Sequence, residues 1–176
     1  MKKMVFVFIT AVMLFSSCSS NSEPSAKRDF FNVDFGMSTI ELFDIEGKPD
    51  KEHPNAKISM YNYFNRVFLG MPNSTMSYLV DKNGVLSGSV GFNNVYSDNK
   101  SYITEYENVK EKLISEWGDP IETIDNEDSF MHICSWGNKF LELYRKDDNS
   151  VIFSVSAYRQ EYIDDNAWVT EAWTNQ

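Results

Sequence analysis

Apolar and polar residues follow two periods along this chain. A spacing of two dominates, and in two places it gives way to the three-and-four spacing of a helix face. Period-two segments rich in Tyr, Phe, Val and Ile occupy residues 58–64, 76–80, 85–92, 121–124, 130–136, 140–145 and 151–158. Each is predicted to be a strand, with 66–69 extending the first of them. Two helices are predicted, at residues 39–46 and 104–117.

Both helices carry their own start and stop signals. Ser38 stands where an N-cap is needed and Glu41 three residues later completes a capping box. Ile40, Phe43 and Leu42 supply its apolar stripe, and Gly47 and Pro49 end it. In the second helix Thr104 and Glu107 repeat the box, and Tyr102, Tyr106, Val109, Leu113 and Trp117 line one face. Gly118 and Pro120 repeat the Gly-x-Pro ending.

The strands come in pairs. Asp81-Lys82-Asn83-Gly84 and Gly137-Asn138 are hairpin turns. Lys51 to Lys57 reads as a polar loop, Gly70, Pro72 and Asn73 as a break, and residues 93–100 as a polar connector. Leu86, Val90 and Gly91 align with Val151, Val155 and Ser156 at one constant offset, so helix and strands recur in the same order. In the last strand Val151, Phe153 and Val155 alternate with Ile152, Ser154 and Ser156, which makes one sheet face apolar and the other mixed. The fold class expected is α+β: two tandem helix-plus-antiparallel-sheet units at 29–95 and 96–160, arranged as a two-layer sandwich, with a C-terminal tail at 161–176. Two readings of that tail stand side by side: Asp164 or Asp165 caps a short helix that stacks Trp168 on Ala172 and Val169 on Trp173 and docks on the sheet, or the tail is free and serves as a peptide ligand for a partner.

The first residues predict an address rather than a structural element. Lys2 and Lys3 precede an apolar run from Met4 to Phe15, followed by Ser16-Ser17-Cys18. This is a secretory signal, too short and wrongly flanked for a spanning helix. The cysteine after small residues resembles the bacterial lipoprotein signal, which implies lipidation of Cys18 after removal of residues 1–17. Residues 18–28 are polar and Ser-rich and are expected to form a flexible tether.

Gly36-Met37-Ser38-Thr39-Ile40-Glu41-Leu42 with Gly47-Lys48-Pro49 resembles the Gly-Met-Ser/Thr motif of the SmpA/OmlA family, small outer-membrane lipoproteins of the β-barrel assembly machine. Ser77 to Leu86 is similar to that family's closing hairpin. Two such units in tandem resemble the β-lactamase inhibitor protein. The resemblance implies a lipid-anchored protein at the outer membrane facing the periplasm, with an envelope protein as partner.

Composition narrows the chemistry. The net charge is −10 over 176 residues, which argues against nucleic acid as a partner. Apart from Cys18, Cys134 is the sole cysteine, so the mature chain forms no internal disulfide. His132 and Cys134 lie two apart on one strand face, a spacing open to a thiolate nucleophile, but no orienting third group is legible. They fall short of a zinc set, and His53 reads as solvent-exposed. Asp125 to Asp128 and Asp147 to Asn149 fit turns better than a calcium loop. No cofactor, metal or catalytic residue is therefore expected. A hydrolase or a ligand- or metal-binding protein using the sheet concavity is the alternative. Aromatic residues make up 15% of the chain, and Tyr61, Tyr63 and Trp136 are the candidate anchors for a protein partner on the open sheet face.

Overall fold

The computed structural model describes residues 28–146 and 148–165. In chain order the elements are α1 (Thr39–Glu46), β1 (Lys51–His53), β2 (Ser59–Phe68), β3 (Met71–Asp81), β4 (Gly84–Phe92), α2 (Asn99–Trp117), β5 (Glu122–Asn126), β6 (Met131–Ser135), β7 (Lys139–Arg145), β8 (Val151–Tyr158) and α3 (Gln160–Asp165). The eight strands make one sheet in the order β1-β2-β3-β4-β8-β7-β6-β5, antiparallel throughout.

This corrects the expectation of two tandem helix-plus-sheet units. The strands of the two chain halves join through β4 and β8, from Ser87 opposite Tyr158 to Gly91 opposite Ser154. The physical reason is edge satisfaction. Had β4 and β8 each ended a separate sheet, both would present rows of unpaired N–H and C=O groups. Pairing them leaves only the short β1 and the five-residue β5 as sheet edges.

Both longer helices cover the same face. Successive cross-strand partners Tyr63, Met76, Val90, Val155, Leu141 and Cys134 form a continuous apolar row beneath them. Leu42 of α1 and Tyr102, Tyr106, Val109 and Leu113 of α2 are buried against this row in one core. The first stretch of the described chain joins them. Phe30 is fully buried and lies edge-on to Tyr78 at 6.2 Å between ring centroids.

The local chemistry of α1 is as the sequence requires. Ser38 Oγ accepts from the Glu41 amide at 3.3 Å, and Glu41 Oε2 accepts from the Ser38 amide at 2.8 Å. Those backbone and hydroxyl donors hold the Glu41 carboxyl below its ordinary range. The helix docks by Leu42 and Phe43, whereas Ile40 points outward at 74% exposure, contrary to its place in the expected stripe. The Lys82–Asn83 turn between β3 and β4 is anchored beside the start of α1. Gly36 N–H donates to Val85 O at 2.9 Å and Val85 N–H to Met37 O at 2.8 Å. Gly84 has φ +104, and a Cβ there would fall 2.6 Å from Met37 O, so the site demands glycine on both counts.

Three boundaries differ from the sequence reading. Helix α2 starts at Asn99 with Asp98 as N-cap, its carboxylate accepting from the Ser101 amide at 2.8 Å. Thr104 caps nothing; its hydroxyl bonds back to Lys100 O at 2.9 Å inside the helix. Lys51–His53 is a strand rather than loop, recruited by pairing with Asn62, Tyr61 and Met60. The expected break at 70–73 belongs to β3, which begins at Met71, and the adjoining β2 absorbs the irregularity as register shifts between Tyr63 and Phe68.

Candidate functional site

The face of the sheet turned away from α1 and α2 carries a different kind of row. The cross-strand partners next to the apolar row are Asn62, Ser77, Ser89, Ser156, Phe140 and Ser135. Thr75, Gly91, Ser154 and Glu142 form the following one. One position of offset along each strand reverses the face, so small hydroxyl residues fill the centre of this side as strictly as apolar ones fill the other.

Two pairs of polar side chains on this face bond to each other. Ser77 Oγ donates to Asn62 Oδ1 at 2.7 Å, and Ser154 Oγ to Glu142 Oε2 at 3.2 Å. Between β3, β4 and β8 they floor a groove of about 440 Å³. At its β7 end α3 folds over the sheet. Ile163 packs on Phe140, and the Tyr162 ring stacks on Tyr158 at 6.1 Å with 8° between planes. Burial raises the Tyr158 phenol above its ordinary value. Short side chains here leave room for a partner's larger ones.

The three aromatic residues expected on this face are not on it. Tyr63 is fully buried, with its hydroxyl donating to Gly47 O at 3.2 Å and Arg66 lying 5.3 Å from its ring centre. Burial, reinforced by the Glu46 carboxylate, pushes its phenol up to about 12. Tyr61 meets Phe43 of α1 edge-on at 5.1 Å. Trp136 packs 5.3 Å from Trp117 and donates its indole N–H to Gly118 O at 2.7 Å. All three therefore serve the helix side of the sheet. Alternation told the sequence reader that Tyr61 and Tyr63 share a face, but not which face. The residues missed were Ser77, Ser89, Ser154 and Ser156; the signal available was serine at alternate positions in two strands that turn out to be neighbours.

His132 and Cys134 both point into the helix-side core. His132 Nδ1 lies 2.7 Å from Asp125 Oδ1, an orienting partner that the sequence did not reveal. Its Nε2 is buried without a hydrogen-bond partner among the described residues, and the Tyr106 and Phe130 rings each lie 5.7 Å from the imidazole, centroid to centroid. Cys134 is fully buried, accepts from the Tyr106 hydroxyl at 3.2 Å and approaches Thr123 Oγ1 at 3.7 Å. Burial and that bond to sulfur drive the Tyr106 phenol far above its usual value. An acid–base imidazole must reach a substrate proton, and a nucleophilic sulfur must reach a substrate carbon. Neither atom has a path to solvent, so this cluster is built as core.

His53 is exposed on β1. The Asp125 to Asp128 segment closes the β5–β6 hairpin, where Ser129 N–H bonds Asn126 Oδ1 at 3.1 Å. Asp148 likewise accepts from the Ser150 amide at 2.9 Å. Among the described residues, no three or more His, Cys, Asp or Glu side chains converge as a metal set would. Cys18 and the Trp168–Trp173 stretch lie outside the described residues.

No family model matches the chain, and no curated protein matches it. Among solved structures it is similar to a cysteine-rich secretory protein of Staphylococcus aureus, at 12% identity and a TM-score of 0.37, over 74% of this chain and 46% of that one. It is similar also to an extracellular protein containing an SCP domain from Bacillus anthracis, at 14% identity and a TM-score of 0.39, over 73% of this chain and 45% of that one. The chain thus spans less than half the length of either, and similarity at this level transfers no activity. The SmpA/OmlA resemblance is corrected: no family model supports it, and one continuous eight-stranded sheet replaces the two tandem units on which it was built. Its Gly36–Pro49 motif is accounted for by capping chemistry that any short, sharply stopped helix uses.

Proposed function

We propose that this chain is a lipid-anchored protein of the bacterial envelope that acts without catalysis, by binding another protein on its open sheet face. The observation that carries the reading is the hydroxyl row Ser77, Ser89, Ser156 with its groove, on the side of the sheet away from the core. A catalytic site would instead need an accessible nucleophile or acid–base pair, and the candidate pair is enclosed. With a net charge of −10, the favoured partner presents a basic surface, which the acidic field steers into the encounter.

The anchor follows from Lys2, Lys3, the apolar run and Cys18, with residues 18–28 as tether. Among the described residues no helix is long and apolar enough to cross a membrane. The expected address is the outer membrane, facing the periplasm. Metabolic labelling with a fatty acid tests this: incorporation is expected in the native chain and lost in Cys18→Ser, and an unlabelled native chain refutes the anchor.

Docking is tested with photo-crosslinking residues placed one at a time at Ser77, Ser89 and Ser154, and at Glu105 and Glu116 on α2. The reading requires one basic protein captured from the three sheet positions alone, with a yield that falls as salt rises. Equal capture from the helix positions, or no capture from the sheet, overturns it.

A further inference from the structure

A second cavity lies away from the centre of the open face, where the β4–α2 connector meets the β7–β8 turn. Its volume is about 550 Å³, within the range of small-molecule sites. Arg145 stands in its wall. One guanidinium nitrogen donates to Asn149 O at 3.0 Å, the other to Asn99 Oδ1 at 2.6 Å, and the group lies 5.1 Å from the Phe130 ring centre. Every one of these partners is neutral, so this cation is oriented by its neighbours without being paired to a carboxylate among the described residues.

The rest of the wall offers amides, hydroxyls and one carboxylate. Asn94 and Ser150 line it, as does Asp98, whose carboxylate already accepts from the Ser101 amide and from Ser97 Oγ at 3.3 Å. The Ser101 bonds hold Asp98 below the ordinary carboxyl range, so it stays ionised. Tyr96 lies edge-on to Tyr102 at 4.8 Å, and Val95 is 90% exposed at the rim. An apolar ligand would leave these polar groups unmatched. A bare inorganic anion would use Arg145 alone and leave the amide, hydroxyl and aromatic groups of the wall unmatched. A sugar ring bearing one carboxylate answers all three features: a charged fork for Arg145, hydroxyls for the Asn, Ser and Asp groups, and C–H faces for Tyr96 and Val95.

We propose that this cavity binds a saccharide carrying a carboxylate, of the uronic-acid kind, with Arg145 as its counter-ion. The site is separate from the hydroxyl row and does not rest on the docking role proposed above, although Phe92, Asn93 and Val151 border both cavities.

The test is amide-resolved NMR titration of the full chain in detergent with glucuronic acid and, separately, with glucose. Glucuronic acid is expected to move the amides of residues 93–99 and 149–151, and to bind about tenfold or more tightly than glucose, as a charge-assisted bidentate bond provides. Arg145→Gln removes the preference for the acid. Raising the salt concentration on the native chain weakens glucuronic acid and spares glucose, which keeps the test decisive should Arg145→Gln fail to fold. No movement of those amides, equal affinity for the two sugars, or a preference for the acid that salt does not reduce would each overturn the assignment.

Discussion

Replacing Gly88 with Ala tests whether the first described segment is part of the core or merely lies against it. Gly88 sits mid-sheet on β4, opposite Tyr78 and Ala157, with its missing side chain toward the helices. A Cβ there would stand 2.7 Å from Phe30 Cε1 and 2.9 Å from Cγ, with Cδ1 closer still. Phe30 has no room to yield. It is fully buried, touching Phe31 at 5.0 Å and stacked with Phe68 at 6.4 Å between ring centres. One methyl must therefore displace a ring in a close-packed core, which costs about 1–3 kcal/mol. In a domain of this size each kcal/mol lowers the melting temperature by roughly 2–4 °C. Phe30→Ala alone should cost about 3–5 kcal/mol, because it opens a cavity the size of a ring. The decisive measurement is the double-mutant cycle by urea denaturation. With the ring gone the new methyl has space, so Gly88→Ala should cost almost nothing in the Phe30→Ala background. A full and equal cost in both backgrounds would place the strain in the strand itself and refute the packing of residue 30 against Gly88.

Tyr63→Ala should lower stability by about 3–5 kcal/mol, since it empties a fully buried position under α1; unchanged stability with lost partner capture would return Tyr63 to an interface role. Ser38→Ala removes the acceptor for the Glu41 amide and should cost about 1 kcal/mol, read as a lower urea midpoint with unchanged slope. Alkaline pH should weaken the fold. The Tyr63, Tyr78 and Tyr106 phenols are all raised above 10.0 in the folded chain, so their contribution is complete below about pH 10 and is lost as pH climbs, for Tyr63 through about 12. Urea midpoints across that window should fall less steeply in Tyr63→Phe, and an identical slope would contradict the burial assigned to that hydroxyl.

Ser38 and Glu41, Gly47 and Gly118, and the turns at Lys82–Asn83 and Gly137–Asn138 were all readable from the chain. Each is settled by hydrogen bonds or backbone angles within a few residues, and those local terms are the same in any fold. The face of α2 was readable too, because Tyr102, Tyr106, Val109 and Leu113 have no other way to share one side of a helix. Its beginning was not. Thr104 and Glu107 match a capping box, but the chain upstream finds burial for Tyr102 by extending the helix back to Asp98.

What the sequence determined by itself is thus the two longer helices, the strands β2 to β8 and the alternation within each of them. What the tertiary structure decided is which strands are neighbours and which face meets the helices. The joining of β4 to β8, the conversion of Lys51–His53 from loop to edge strand, and the inward turn of Tyr61, Tyr63 and Trp136 depend on groups far away in the chain. Alternation is symmetric: it separates Asn62 from Tyr63 and Ser89 from Val90 without saying which member is covered. Only the docking of α1, α2 and Phe30 on one side breaks that symmetry, and the same choice leaves the serines on the other.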